Sequence, residues 1–136
     1  MPATWRKNLP EGLMKPKISY FKESVAKLRF PTKISDVVKF EDRLFAAVAA
    51  IEHEGIVFGG VAMCREGDQF NRKIGRNIAI GRAEKLLANT MNGTIGVPPG
   101  SICLFTEEFV EMLKEFRSVE QTDLVRGIIA ESFGYI

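Results

Sequence analysis

The sequence predicts an α+β domain in which a small antiparallel sheet from the N-terminal half packs with a central basic helix and two C-terminal helices. Three observations support this prediction. Two segments rich in Val, Ile and Phe meet at a turn near residue 55, a long capped helix follows from residue 68, and two shorter helical segments lie after residue 105. A length of 136 residues with 46% hydrophobic content fits one such domain, which we expect to span residues 18–136.

The first 17 residues are expected to form an irregular arm, because prolines and Gly12 interrupt any regular pattern. Trp5 and Leu13 are its candidate packing residues. Residues 18–30 predict a short helix, since their apolar side chains recur at three- and four-residue steps and Pro31 would end it.

Residues 36–64 predict a β-hairpin whose tip is His53-Glu54-Gly55. Both flanks are rich in strand-forming residues, and Gly55 can adopt the positive φ that a tight turn needs. The alanine run at 46–50 would also suit a helix. Gly59-Gly60 inside the second strand indicates a bulge or a close approach of another backbone.

The clearest helix begins with Asp68 as its N-cap candidate and ends near Asn92-Gly93. A Gly- and Pro-rich loop follows over residues 93–100, either as a rim over the basic helix or as a plain connection. Residues 101–105 (SICLF) predict a short buried strand. Thr106 would cap a second helix, and Ser118 would begin a third, with Gln121 completing its capping box.

Composition excludes several classes of function. A net charge of +2 is too small for a general binder of nucleic acids or membranes, and no run of about eighteen apolar residues predicts a membrane span. The N-terminus lacks the apolar core of a secretory signal, so a cytoplasmic location is expected. Cys64 and Cys103 are interpreted as buried free thiols, with a disulfide between them as the alternative. Two cysteines with one histidine are too few for a zinc site.

No catalytic constellation is evident either. The loop GTIGVPPG lacks the GK[ST] ending of a Walker loop, and Ser101 is not in a nucleophile elbow. His53 is interpreted as an exposed turn residue rather than a general base. We therefore expect binding without turnover, and no cofactor.

The central helix concentrates positive charge. Residues 65–85 contain six Lys and Arg against three acids, a local balance of +3. At about 100° per residue, one sector about 120° wide holds three arginines together with a strip of small residues: Arg72, Gly75, Arg76, Ala79, Arg82 and Ala83. Guanidinium groups suit forked contacts with phosphate, and the small residues leave room for a ligand or for another backbone. The alternative is a solvated face with a packing seam, but glycines at 75 and 81 destabilise a helix by about 1 kcal/mol each, which favours a functional reason.

The same stretch resembles a motif of small phage proteins, in which acidic, aromatic, basic and small residues follow at fixed spacing: here Asp68, Phe70, Arg72, Lys73, Gly75, Arg76, Ile78, Ala79, Gly81, Arg82 and Ala83. It is similar to the anti-Thoeris sponge family of bacteriophages. That resemblance covers about twenty residues strongly. It implies a non-enzymatic protein of the host cytoplasm that sequesters a cyclic ADP-ribose-type or cyclic oligonucleotide immune signal, as a homo-oligomer with sites between subunits.

The expected ligand contacts are six residues of the motif and one aromatic residue outside it: Phe70, Arg72, Lys73, Gly75, Arg76, Arg82 and Phe105. Aromatic faces stack on nucleobases, and the arginines would hold phosphates. Two other functions are compatible with the same helix. One is a small nucleic-acid-binding regulator that tracks a phosphate backbone, and the other is an enzyme acting on nucleotides.

Overall fold

The computed structural model describes residues 9–27, 39–65, 68–120 and 122–135. Four antiparallel strands form one sheet in the order β1-β2-β3-β4. One helix lies between β3 and β4 in the chain, and two helices follow β4. The strands are β1 (Lys17–Lys27), β2 (Lys39–His53), β3 (Ile56–Met63) and β4 (Ser101–Phe105), and the helices are α1 (Arg72–Met91), α2 (Thr106–Ser118) and α3 (Thr122–Ser132). The predicted α+β arrangement is confirmed.

The sheet separates two apolar layers. On one face, α1 packs through Ala79, Ala83 and two leucines against alternate residues of β2 and β3. On the other face, α2 and α3 contribute Phe109, Phe116 and Ile129 to a second cluster with the remaining core residues of the same strands. Both faces of β2 and β3 are therefore buried, which explains their nearly continuous apolar sequences.

The predicted hairpin is confirmed. β2 and β3 are joined by Glu54-Gly55, which have φ values of 53° and 77°. Two consecutive positive φ values are the geometry of a type I′ turn, whose twist matches that of the flanking strands. The alanine run at 46–50 lies in β2, where Ala47 and Ala49 face the closely packed α1.

The helix predicted over residues 18–30 is wrong, because residues 17–27 form β1. Phe21 and Val25 are four residues apart, a spacing that places two side chains on one face of a strand as well as on one face of a helix. The ladder between β1 and β2 does contain a bulge, but its extra residue, Phe45, lies in β2. Ile18 and Tyr20 pack on the α1 layer, whereas Phe21 packs on the opposite layer. Leu28, Pro31 and Trp5 lie outside the described residues, as does the first half of the predicted arm.

Several predicted helix boundaries are corrected by local hydrogen bonds. The N-cap of α1 is Asn71 rather than Asp68, and its side-chain oxygen accepts from the amide of Ile74 at 3.0 Å. Its C-terminal end at Asn92-Gly93 is confirmed, with Gly93 at φ 77°.

In the C-terminal helices, Thr106 is the first residue of α2 rather than its cap, and its hydroxyl donates to the Gly55 carbonyl. Ser118 ends α2 instead of beginning α3, which starts at Thr122. Gln121 lies outside the described residues.

The strand SICLF is present, but it is not buried throughout. As β4 it forms an edge of the sheet, and only Ser101 is buried, whereas Cys103 and Phe105 are exposed. An apolar sequence of five residues cannot distinguish a central strand from an edge strand.

Candidate functional site

The strip of small residues on α1 faces the sheet. Gly75, Ala79 and Ala83 are buried, and a Cβ atom at Gly60 of β3 would collide with the Ala79 carbonyl and lie 2.6 Å from the Ala83 nitrogen. The sequence allowed either a ligand or another backbone to lie against this strip, and the structure shows the backbone of β3 there. The expectation that this sector of the helix is an open binding face is wrong.

Because the centre of that sector points into the protein, its arginines emerge on opposite flanks of α1. The Arg82 guanidinium lies 4.9 Å above the Tyr135 ring on one flank and donates to the Val61 carbonyl at 2.5 Å. The Arg72 guanidinium lies 4.4 Å above the ring of Tyr20 in β1, on the other flank. The three arginines therefore do not converge on one phosphate.

Gly75 has a packing role of its own. The ring of Phe70 occupies the position that a Cβ atom at Gly75 would need, with one ring carbon 2.6 Å from it. This contact folds the segment before α1 back onto the first turns of the helix. Two residues of the motif thus pack against each other. The Phe70 ring lies against the helix as a wall and does not stand free as an isolated stacking platform.

A cleft of about 300 Å³ lies beside the N-terminal half of α1. It is bounded by the end of β3, the segment that precedes α1, one flank of the helix and the C-terminal segment after α3. Its lining combines apolar, aromatic and a few polar side chains: Ala62, Met63, Cys64, Gln69, Phe70, Asn71, Ile74, Gly75, Ile78, Arg82 and Tyr135.

The electrostatics of the cleft favour an anion. Arg82 is the cationic residue in its lining, and it is half-buried on Tyr135, where solvent competes less with a bound ligand. The first turn of α1, which borders the cleft, contains no acidic residue to offset the positive end of the helix dipole. The apolar lip is unusually exposed, since Ile74 and Ile78 retain 57% and 42% of their surface.

The structure brings together some predicted site residues and separates others. Phe70, Gly75 and Arg82 line the cleft. Lys73 and Arg76 are exposed on α1 outside it, and Phe105 lies 66% exposed on β4. Sequence reasoning missed Ile74, Ile78 and Tyr135. The sequence did contain a signal for the isoleucines: they stand opposite a strip of small residues, and such a strip is suited to packing. No sequence pattern indicated Tyr135.

The remaining sequence candidates lie in the loop before β4, at the hairpin turn, and on or beside β3 and β4. Gly100 of the Gly-Pro loop packs against Tyr135 and Arg82, while Ile95 and Val97 point to solvent away from the cleft lining. His53, expected to be an exposed turn residue, is instead half-buried as the last residue of β2, 4.0 Å from the Glu54 carboxylate. Cys64 and Cys103 are free, as expected, but neither is fully buried: Cys64 is half-buried and Cys103 is exposed.

Within the described ranges, no group of three or more His, Cys, Asp or Glu residues is placed to hold a metal ion. Nor is any described helix long and apolar enough to cross a bilayer. Comparison with protein-family models, with curated proteins and with solved structures finds no match to this chain.

Proposed function

We propose that the protein is a non-enzymatic binder that captures a small phosphate-bearing nucleotide, of the cyclic ADP-ribose or cyclic oligonucleotide type, in the cleft beside α1. The observation that carries this proposal is the meeting of an apolar wall with a half-buried guanidinium in one cavity. Sequestration of such a signal would inhibit the host defence that depends on it, as the motif's resemblance to phage sponges implies.

The lining of the cleft offers both kinds of contact that a nucleotide needs. Phe70 and Ile78 offer apolar surface for a base. Arg82 uses one donor on the Val61 carbonyl, and a guanidinium carries five, so donors remain for phosphate oxygens.

The size of the cleft supports a shared site. At about 300 Å³ it lies at the lower end of the range of small-molecule pockets, roughly 300–1,000 Å³. A cyclic nucleotide would therefore extend beyond the lip formed by Ile74 and Ile78. A second subunit covering that lip would complete the enclosure, which agrees with the homo-oligomer expected from the resemblance.

Calorimetric titration with cyclic ADP-ribose and with a cyclic dinucleotide tests this proposal. Ile78→Glu replaces apolar surface offered to the base with a carboxylate that repels an anionic ligand, and the exposure of Ile78 allows the fold to survive. We expect affinity to fall at least tenfold, about 1.4 kcal/mol. Ile95→Glu is the matched control, since Ile95 is 99% exposed outside the cleft lining and its replacement should leave affinity unchanged.

The chemical outcome is read from the same samples. Ligand released by heat denaturation should return with unchanged mass, whereas a modified product would identify an enzyme. Equal affinity for Ile78→Glu and the unaltered protein would remove the cleft from the proposal.

A second candidate, a nucleic-acid-binding regulator, is favoured by one observation. Lys73 and Arg76 are exposed on α1, and neither forms an ion pair with any other residue in the described part of the chain. A phosphate backbone tracked by these residues would bind with a steep salt dependence. Lys73→Ala with Arg76→Ala would then abolish binding of long oligonucleotides, while Ile78→Glu would have little effect.

A further inference from the structure

The free edge of β4 presents a defined set of backbone groups. The bonds from Val61 N to Gly100 O and from Thr106 N to Gly55 O fix which residues of this strand face β3. Because hydrogen-bonded pairs alternate along an antiparallel ladder, Ile102 and Leu104 also bond to β3. The N–H and C=O groups of Ser101, Cys103 and Phe105 therefore point away from the sheet.

Two of these outward groups already have partners. The Ser101 amide donates to the Pro98 carbonyl at 3.2 Å. The Phe105 carbonyl belongs to the N-cap of α2, a position whose carbonyl accepts the first bond of the helix. The Cys103 N–H, the Cys103 carbonyl, the Phe105 N–H and the Ser101 carbonyl remain, and none of them has a hydrogen-bond partner within the described ranges.

The remaining donors and acceptors of β4 match those of a second β4 strand. When two β4 strands run antiparallel with the Cys103 residues opposite each other, each Cys103 N–H meets the other Cys103 carbonyl. Each Phe105 N–H then meets the partner's Ser101 carbonyl. The donor and acceptor missing at the ends, the Ser101 N–H and the Phe105 carbonyl, would have faced each other and are both satisfied internally.

The opposite edge of the sheet is protected against such pairing, and β4 is not. β1 carries Lys17, Lys22 and Glu23 along its length, and its ladder with β2 is interrupted by a bulge; charged residues and bulges both prevent edge-to-edge association. The sequence of β4, SICLF, has no charge and no proline, and its ladder with β3 shows no shift. The exposed side chains of Cys103 and Phe105 lie along this edge.

We propose that a second copy of this chain pairs with β4 through this edge, about a two-fold axis at Cys103, to form one continuous sheet from two subunits. Phe105, 66% exposed in the single chain, would be covered beside the partner's Ser101. A two-fold axis makes the contact closed and self-complementary, so association stops at a dimer. The pairing does not depend on the identity of the nucleotide or on its binding.

Amide hydrogen exchange followed by NMR tests this pairing within one molecule. The Cys103 amide points outward and the Leu104 amide bonds to β3, so Leu104 is the internal control. Exchange at Cys103 should slow by at least about tenfold when the protein concentration is raised through the dimer dissociation constant, while exchange at Leu104 stays constant. Exchange at Cys103 that does not depend on concentration would overturn the proposal.

Sedimentation equilibrium supplies the second measurement. The mass should rise with concentration from 15.2 kDa to twice that value. Cys103→Lys sets two like charges opposite each other and should return the protein to the mass of one chain, whereas Cys103→Ser should remain dimeric. Circular dichroism confirms that both variants are folded. A single-chain mass for the unaltered protein, or a dimer that survives Cys103→Lys in folded form, would contradict the pairing.

Discussion

Gly60 is the residue at which the sheet and α1 approach most closely. Its missing side chain allows the backbone of β3 to lie against the Ala79 carbonyl and the Ala83 nitrogen. Gly60→Ala would force these backbones apart, and because neither is the end of a flexible side chain, relaxation is limited. We expect a loss of about 3 kcal/mol in the free energy of unfolding, measured by urea denaturation.

Gly81 provides the opposite expectation in the same helix. Beyond the neighbouring helical backbone, no atom of the described residues lies within 4 Å of the point where a Cβ atom would sit, and the φ of Gly81 is not in the left-handed region. Gly81→Ala should therefore raise the free energy of unfolding by up to about 1 kcal/mol, because alanine is the better helix former. A loss of stability would contradict the open surroundings of Gly81 that the described part of the chain shows.

At this scale, the sequence predicted relative positions better than directions. The glycine pair at 59–60 correctly indicated a close backbone approach. The angular arithmetic correctly placed Gly75, Ala79 and Ala83 on one strip, but a helical wheel fixes only the angles between residues. Whether the strip points to solvent or to the sheet depends on the partner, and here the alanine-rich β2 and Gly60 accept it.

The turn of the β2–β3 hairpin contains a residue type that its backbone conformation disfavours. Glu54 adopts φ 53°, a left-handed conformation that disfavours most side chains but that asparagine tolerates. Glu54→Asn would create the Asn-Gly pair preferred in type I′ turns and should stabilise the protein by roughly 0.5–1 kcal/mol in thermal unfolding. Glu54→Ala is the control: it removes the same charge but keeps the unfavourable backbone, so it should bring no gain.

Whether a segment forms a helix or a strand was predictable where its local sequence pattern agreed with its packing in the fold. The β2–β3 hairpin and α1 fall in this class, since both carry their own turn or cap signals. β1 was mistaken for a helix because its apolar side chains recur at a four-residue step that suits a strand as well as a helix, and its state is decided by pairing with β2. The cleft residue Tyr135 was also out of reach, because only the folded chain brings the segment after α3 to α1.

At the scale of the whole molecule, one ion pair joins distant parts of the chain. Two nitrogens of the Arg126 guanidinium in α3 donate hydrogen bonds to the Glu23 carboxylate of β1, at 2.5 and 2.6 Å. The same guanidinium also donates to the Cys64 carbonyl at the end of β3. Hydrogen bonding to Glu23 raises the pKa of Arg126, so the guanidinium stays charged at every pH relevant to folding. Both side chains are largely buried, with exposures of 16% and 12%.

Removal of one partner should therefore be costly. Arg126→Met leaves the Glu23 carboxylate and the Cys64 carbonyl without their donor, and we expect a loss of about 3 kcal/mol in chemical denaturation. The double variant with Glu23→Gln should recover much of that loss, because no buried charge is left. Equal destabilisation in the single and double variants would show that the carboxylate is not the source of the penalty.

The contact between α1 and β3 has a consequence for the proposed capture of a ligand. Side chains without rotamer freedom meet there, and the helix can neither slide nor rotate without a backbone collision. One wall of the cleft is thus preorganised before any ligand arrives. Less conformational entropy is then lost on binding, so a modest set of contacts can retain a small molecule for a long time.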